Sequence, residues 1–149
     1  MDLTDFSLRI GLAAIAGIFI GLERELRGKD AGLKTNALVA LGSCVFVLIS
    51  LEFRGEDFVD TTRVIGQVVA GIGFIGAGTI LRQRGKIEGL TSAATIWCSA
   101  AAGCLAAMGM FRELLIISVM VLFINLIFTI IENKLIRNRK RKNEKKNRD

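Results

Sequence analysis

The sequence predicts an all-α membrane protein of five transmembrane helices, and three observations carry that reading. Hydrophobic residues make up 52% of the chain and its mean hydropathy is +0.50, above the range of a soluble domain of this size. The charged residues, 23% of the total, are gathered into short blocks with long uncharged stretches between them. Those stretches approach the roughly 20 residues needed to cross a bilayer core. Backbone groups find no water there, so each stretch must be a helix or a closed-barrel strand. The lack of period-2 alternation selects helices.

The first span runs from about Phe6 to Leu22, interrupted only by Arg9 near its start. It is read as retained, because Met1-Asp2-Leu3-Thr4-Asp5 is acidic where a signal peptide would be basic. A short second span covers about Asn36 to Leu51, and the third runs from Val64 to Leu81. The fourth extends from Leu90 to Met110 and the fifth from Leu114 to Ile131. Residues 1–131 thus form one five-helix transmembrane domain and residues 132–149 a basic cytoplasmic tail.

Basic residues set the orientation. With the N-terminus outside, the inner loops hold Arg24, Arg27, Lys29, Lys34, Arg82, Arg84 and Lys86, and the tail adds nine more. Sixteen basic residues then lie inside against four outside, namely Arg9, Arg54, Arg63 and Arg112. The expectation is a bacterial plasma-membrane protein with its N-terminus outside and its C-terminus in the cytoplasm. The tail suits anionic inner-leaflet lipid, at about 1 kcal/mol per basic residue near the surface. It lacks the aromatic residues of a stacking platform, which sets nucleic acid aside.

An internal repeat follows the pattern R-G-K-x-x-G-L-x-[ST]-x-A, from Arg27 to Ala37 and again from Arg84 to Ala94, at an offset of 57. Upstream, Ile15, Ile18 and Gly21 meet Ile72, Ile75 and Gly78 at the same offset. Both copies fall in inner loops, which suggests a parallel duplication of a helical hairpin, with spans one and two repeated as three and four.

Small residues mark helix contacts. Gly71-Ile72-Gly73-Phe74-Ile75-Gly76 matches a dinucleotide fingerprint but lies in an apolar span without the βαβ context that motif requires. Helix packing explains it better: Gly66, Ala70, Gly73 and Ala77 form one stripe, Gly17 and Gly21 a GxxxG on the first span. Ala93, Ala100 and Ala107 give the fourth span a narrow face, and Asn125 is polar glue within the fifth. Cys44, Cys98 and Cys104 lack metal or disulfide spacing and read as small buried residues.

Chemistry-bearing residues collect at the inner boundary. Glu23 sits there as either an interfacial charge paired with Arg24 or Arg27, or a functional carboxylate. The two glycine-rich loops lead into helices, with Thr35 and either Thr91 or Ser92 as N-cap candidates. Lys29 and Lys86 would then face two helix N-termini, as an anion site or, more simply, as topology anchors beside capped helices. Glu52, Glu56, Asp57 and Asp60 outside, and Glu23, Asp30 and Glu88 inside, offer oxygens to Mg²⁺ without a spacing that compels binding. No cofactor is identified, and Mg²⁺ stands as a candidate ligand or signal. The chain has no histidine and nothing resembling a catalytic triad, so no catalytic residue is assigned and an enzyme is not expected.

The stretches Gly21-Leu22-Glu23-Arg24-Glu25, Gly28 to Ser43 and above all Gly71 to Gly103 resemble the membrane domain of the MgtC/SapB family, a likeness covering roughly residues 6 to 131. The resemblance implies an integral membrane protein linked to magnesium limitation and, in some pathogens, to survival inside host cells. By motif it points to Glu23, Arg24, Gly78, Thr91, Trp97 and Cys98, beside Lys29, Thr35, Asn36, Lys86 and Glu88 from the loops and helix starts. Longer members continue into a soluble cytoplasmic domain, so a short, membrane-domain form is expected. Two functions compete: a regulator acting by helix contact with another membrane protein or a second copy, which the small-residue faces favour, and a Mg²⁺ or other ion transporter or channel.

Overall fold

In the computed structural model, which describes residues 1–57, 60–83 and 85–146, side chains are described except at 83, 132–133 and 135–146. Arg84 and, apart from Lys134, the basic side chains of the tail lie outside the described residues. Five helices follow in order: α1 (Leu3–Leu26), α2 (Leu33–Glu52), α3 (Thr61–Gly78), α4 (Leu90–Ala107) and α5 (Phe111–Lys146). A two-stranded antiparallel hairpin, β1 (Leu81–Gln83) and β2 (Lys86–Glu88), connects α3 to α4. Four helices are long and apolar enough to cross a membrane, with α5 contributing Phe111–Ile131. The fifth, α3, is diluted by Thr61, Thr62, Arg63, Gln67 and its glycines.

A helix stands at each of the five expected spans, with shifted ends. The third stops at Gly78 rather than Leu81, because the next residues pair across the hairpin instead of continuing the helical ladder. The fourth stops at Ala107, and Met108–Met110 form the turn, with Gly109 at φ +73. Helix α5 runs past Ile131 through Lys146, in a stretch free of glycine and proline and rich in the good helix formers Lys and Arg.

Helices α1, α2 and α4 form the centre. A Cβ on Gly17 would lie 2.5 Å from the Asn36 carbonyl oxygen, and one on Gly21 would lie 2.8 Å from that of Gly32. The expected α1 GxxxG therefore seats α2 in backbone contact, running antiparallel to it. Gly103, which sequence reasoning passed over, does the same between α4 and α2: its Cβ would meet the Ala40 carbonyl oxygen at 2.1 Å. Between these contacts Ala13, Ile20, Cys44, Val47, Leu48, Ala102 and Ala106 are buried as a core of mostly small side chains. In α5, Leu114, Ser118, Val121 and Asn125 recur on one buried stripe while the remaining faces stay apolar and exposed, as a lipid-facing helix requires.

Helix α3 is different. Only Ile72 and Gly76 are buried on it, and they pack against Ile96, Ala100 and Ala93 of α4 and Val39 of α2. Apolar grooves of about 540 and 520 Å³ flank it on the α2 side and on the α4–α5 side. The stripe Gly66, Ala70, Gly73 and Ala77, expected as a packing face, is exposed, with nothing within 4 Å of a Cβ on either glycine. Within the chain, α3 is held through the neighbouring face, where Ile72 and Gly76 are buried, Ile65 and Val68 are partly buried against the core, and a Cβ on Gly76 would meet Ala93 at ordinary van der Waals distance.

Candidate functional site

The charged and polar candidates meet at one end of the bundle, where α1 ends, α2 and α4 begin and the lower part of α5 passes. Glu23 and Arg24 are both buried, at 5% exposure. Adjacent helical residues point about 100° apart, so the two carry out separate tasks. Glu23 Oε1 lies 2.7 Å from Arg27 Nε one turn on, but off hydrogen-bonding geometry, leaving both carboxylate oxygens without a donor among the described residues. Arg24 crosses to α4 and donates through Nη2 to Ser92 Oγ, while its Nε finds no acceptor among the described residues. At the opposite end Arg9 donates to the Ala107 carbonyl oxygen, beside its 2.9 Å bond to Asp5. A guanidinium there also suits the negative end of the α4 dipole. Two arginines thus fasten α1 to α4 at both ends, in antiparallel register.

Asn36 is fully buried and ties the centre together. Its Nδ2 donates to the Ala31 and Gly32 carbonyls, the latter at 2.9 Å, and its Oδ1 accepts from Ser99 Oγ at 2.8 Å. Asn125 is buried too, at 7% exposure, but its Nδ2 has no acceptor among the described residues. Among the described residues, Asn36, Arg24 and Arg9 make side-chain hydrogen bonds between helices.

The expected hydroxyl caps do not form. Helix α2 starts at Leu33, after Gly32, and α4 at Leu90, after Gly89, so Thr35, Thr91 and Ser92 are already inside their helices. Glu25 reaches across the loop to accept from the Leu33 backbone N–H at 3.1 Å, capping α2 from the preceding helix. The start of α4 has no side-chain cap among the described residues. Gly89 is needed there on two grounds: its φ is +88, and a Cβ would lie 1.8 Å from the Thr79 carbonyl oxygen.

A cavity of about 1020 Å³ opens beside the α4 N-terminus. Arg24, Lys29, Asp30, Glu88, Thr91, Ser92, Asn125 and Thr129 supply its polar wall, and Ile87, Leu90, Ile124 and Phe128 its apolar one. Of the expected functional residues it gathers Arg24, Lys29, Glu88 and Thr91. Lys86, exposed in β2, is not among its lining residues. Thr35 and Gly78 stand outside it; Trp97 is 52% exposed on α4 and, with Cys104, lines the groove toward α5, while Cys98 is half-buried. Among the described residues no group of three His, Cys, Asp or Glu side chains comes together to hold a metal. Of the outer acids, Glu52 pairs with the Met1 ammonium at 3.1 Å and Asp60 caps α3, accepting from Thr62 N at 2.9 Å.

Apolar helices in backbone contact, lipid-facing outer surfaces and a charged cluster at one end define a multi-pass helical membrane protein. The MgtC family model matches residues 10–134, and the chain belongs to that family. Protein MgtC of Salmonella typhimurium is 41% identical over 122 residues, covering 82% of this chain and 52% of that protein. YhiD of Escherichia coli K12, named there as a provisional magnesium transporter, is 44% identical over 130 residues, covering 83% of this chain and 60% of its own length. An uncharacterized protein of Synechocystis sp. is 41% identical over 126 residues, or 85% of this chain and 53% of that protein. The chain thus spans about half the length of the curated relatives it matches. No solved structure matches it.

Proposed function

We propose that this chain is a regulatory protein of the bacterial inner membrane that serves adaptation to magnesium limitation by helix–helix contact with another membrane protein or a second copy of itself. The observation that carries this reading is the bare α3 face: Gly66, Ala70, Gly73 and Ala77 are exposed together on a helix that the bundle holds by only two buried residues. Such a face lets another backbone approach closely in lipid. The centre favours the same reading, since α1, α2 and α4 meet through Gly17, Gly21 and Gly103 at distances that leave no room for a hydrated ion between them. The excess of basic residues at the Arg24 end supports an N-terminus outside and a C-terminus in the cytoplasm. A hairpin duplication is supported by α2 and α4 beginning at Leu33 and Leu90, 57 positions apart as in the sequence repeat.

The transporter reading rests on a different observation, the buried and underpartnered Glu23 at the inner boundary, and on the name given to YhiD. Growth under low Mg²⁺ in cells that depend on this chain tests the regulatory reading. Gly73→Leu, in protein shown to be inserted, is expected to lose complementation, while Phe74→Leu, on the adjacent lipid-facing position, keeps it. Full complementation by Gly73→Leu would remove α3 as the contact face.

A further inference from the structure

We propose that the cavity beside the α4 N-terminus seats the headgroup of a zwitterionic phospholipid, with its phosphate on the helix start and its primary ammonium between two carboxylates. This goes beyond the regulatory reading and does not depend on it. The α4 N-terminus lines the cavity and begins after Gly89, which has no side chain to cap it, so its first backbone N–H groups, without a side-chain acceptor among the described residues, can bind an anion. Two lining residues each keep a buried N–H donor without an acceptor among the described residues: Arg24, at 5% exposure, through Nε, and Asn125, at 7%, through Nδ2. Buried donors of this kind are expensive unless satisfied. Lys29, exposed at the rim, adds a third cationic or amide donor to the set.

The remaining charges select the headgroup. Asp30 and Glu88 line the same cavity and are exposed. With Arg24 and Lys29 they give the charged wall, among the described residues, two groups of each sign, which matches a phosphate joined to an ammonium better than a purely anionic group. Ile124 and Phe128 are 47% and 65% exposed beside these polar groups. They extend an apolar wall from the headgroup level along α5, where the glycerol and first acyl carbons of a bilayer lipid would lie. Free phosphate shares the first half of this chemistry and has no use for the second.

The test uses the full purified chain in non-ionic detergent, titrated by native mass spectrometry with short-chain phosphatidylethanolamine, short-chain phosphatidylglycerol and inorganic phosphate. Phosphatidylethanolamine is expected to bind tightest, and Asn125→Leu to weaken it by about tenfold or more, the loss for one hydrogen bond to a charged group. Asp30→Asn combined with Glu88→Gln, both on exposed residues, is expected to reverse the preference toward phosphatidylglycerol. Thermal unfolding followed by the single tryptophan, Trp97, checks that each variant is folded. If Asn125→Leu is not stably folded, Lys29→Ala decides in its place, with weaker phosphatidylethanolamine binding expected. Equal binding of the two lipids, binding of phosphate as tight as of lipid, or unchanged binding in these variants would overturn the proposal.

Discussion

The two helical hairpins share a sequence pattern and differ in how they use it. In the first, Gly17 and Gly21 bring α1 onto α2 so closely that a single Cβ would strike backbone atoms. At the 57-residue offset these positions become Phe74, which is 84% exposed, and Gly78, which has nothing within 4 Å of a Cβ. The buried pair Glu23 and Arg24 becomes Ile80 and Leu81, both exposed, and the loop that Glu25 clamps becomes a β-hairpin. The first hairpin is welded to α4 by side chains and backbone; in the second, α3 rests on α4 at van der Waals distance with grooves on either side. A small-residue motif therefore confers the capacity for close approach without naming a partner. In α1 the chain itself supplies the partner, and in α3 the face is left open.

This contrast can be broken by overfilling each contact. The largest effect is expected from Gly103→Leu, which puts a side chain where the Ala40 carbonyl oxygen lies 2.1 Å away from even a Cβ. We expect a loss of about 3 kcal/mol or more, read by reversible unfolding in mixed micelles. Losing the Arg24–Ser92 bond through Ser92→Ala should cost about 1.5–3 kcal/mol, the range for hydrogen bonds to charged groups, and loosen α1 from α4. Next comes Gly17→Ala, at about 1–3 kcal/mol, against backbone atoms that can yield only by separating the helices. The corresponding Gly→Ala change at the buried glycine of the second hairpin, Gly76→Ala, should stay within about 0.5 kcal/mol, because its Cβ would meet Ala93 Cβ at 3.5 Å. Equal costs at Gly17 and Gly76 would erase the distinction between the hairpins.

The smallest effect concerns how α3 is anchored. Hydrogen bonds from the Thr62 side chain and backbone hold the Asp60 carboxyl below its ordinary value. Its folded-state pKa is depressed, so the cap's contribution is complete above the unfolded carboxyl's pKa of about 3.9 and is lost as pH falls through the lower folded value. Amide protection in the first turn of α3, taken relative to the intrinsic exchange rate at each pH, should fall over that acidic window and not between neutral pH and about 5. In Asp60→Asn the acid step should vanish.

Much of the fold was legible because burial in lipid forces a coarse pattern on the sequence. Charges segregate into loops, and the apolar windows between them become helices whatever their contacts. The ends were harder. Gly32 and Gly89 start α2 and α4, and the sequence offered Thr35, Thr91 and Ser92 as caps because hydroxyls usually do that work. The role of Glu25 depends on a loop folding back over the end of its own helix, a tertiary fact. The β-hairpin was hidden in an eight-residue stretch, with strands of three residues too short to show periodicity. In the candidate site, Glu23, Arg24, Lys29, Asn36, Glu88, Thr91 and Asn125 could be named from charge, polarity and position. Ser92 as the partner of Arg24, and Ser99 as that of Asn36, required knowing that α4 packs against both α1 and α2. The repeat matched Lys86 to Lys29, but Lys86 sits in a strand and Lys29 in a loop, a difference the shared motif does not show.

The most direct test of a closed, regulatory bundle is Mg²⁺ flux into sealed proteoliposomes that contain only this purified protein, with Glu23→Gln alongside. We expect no flux above protein-free vesicles in either preparation, given correctly inserted and oriented protein. Saturable uptake by the wild-type chain that disappears in Glu23→Gln would contradict the regulatory account and place Glu23 on an ion pathway.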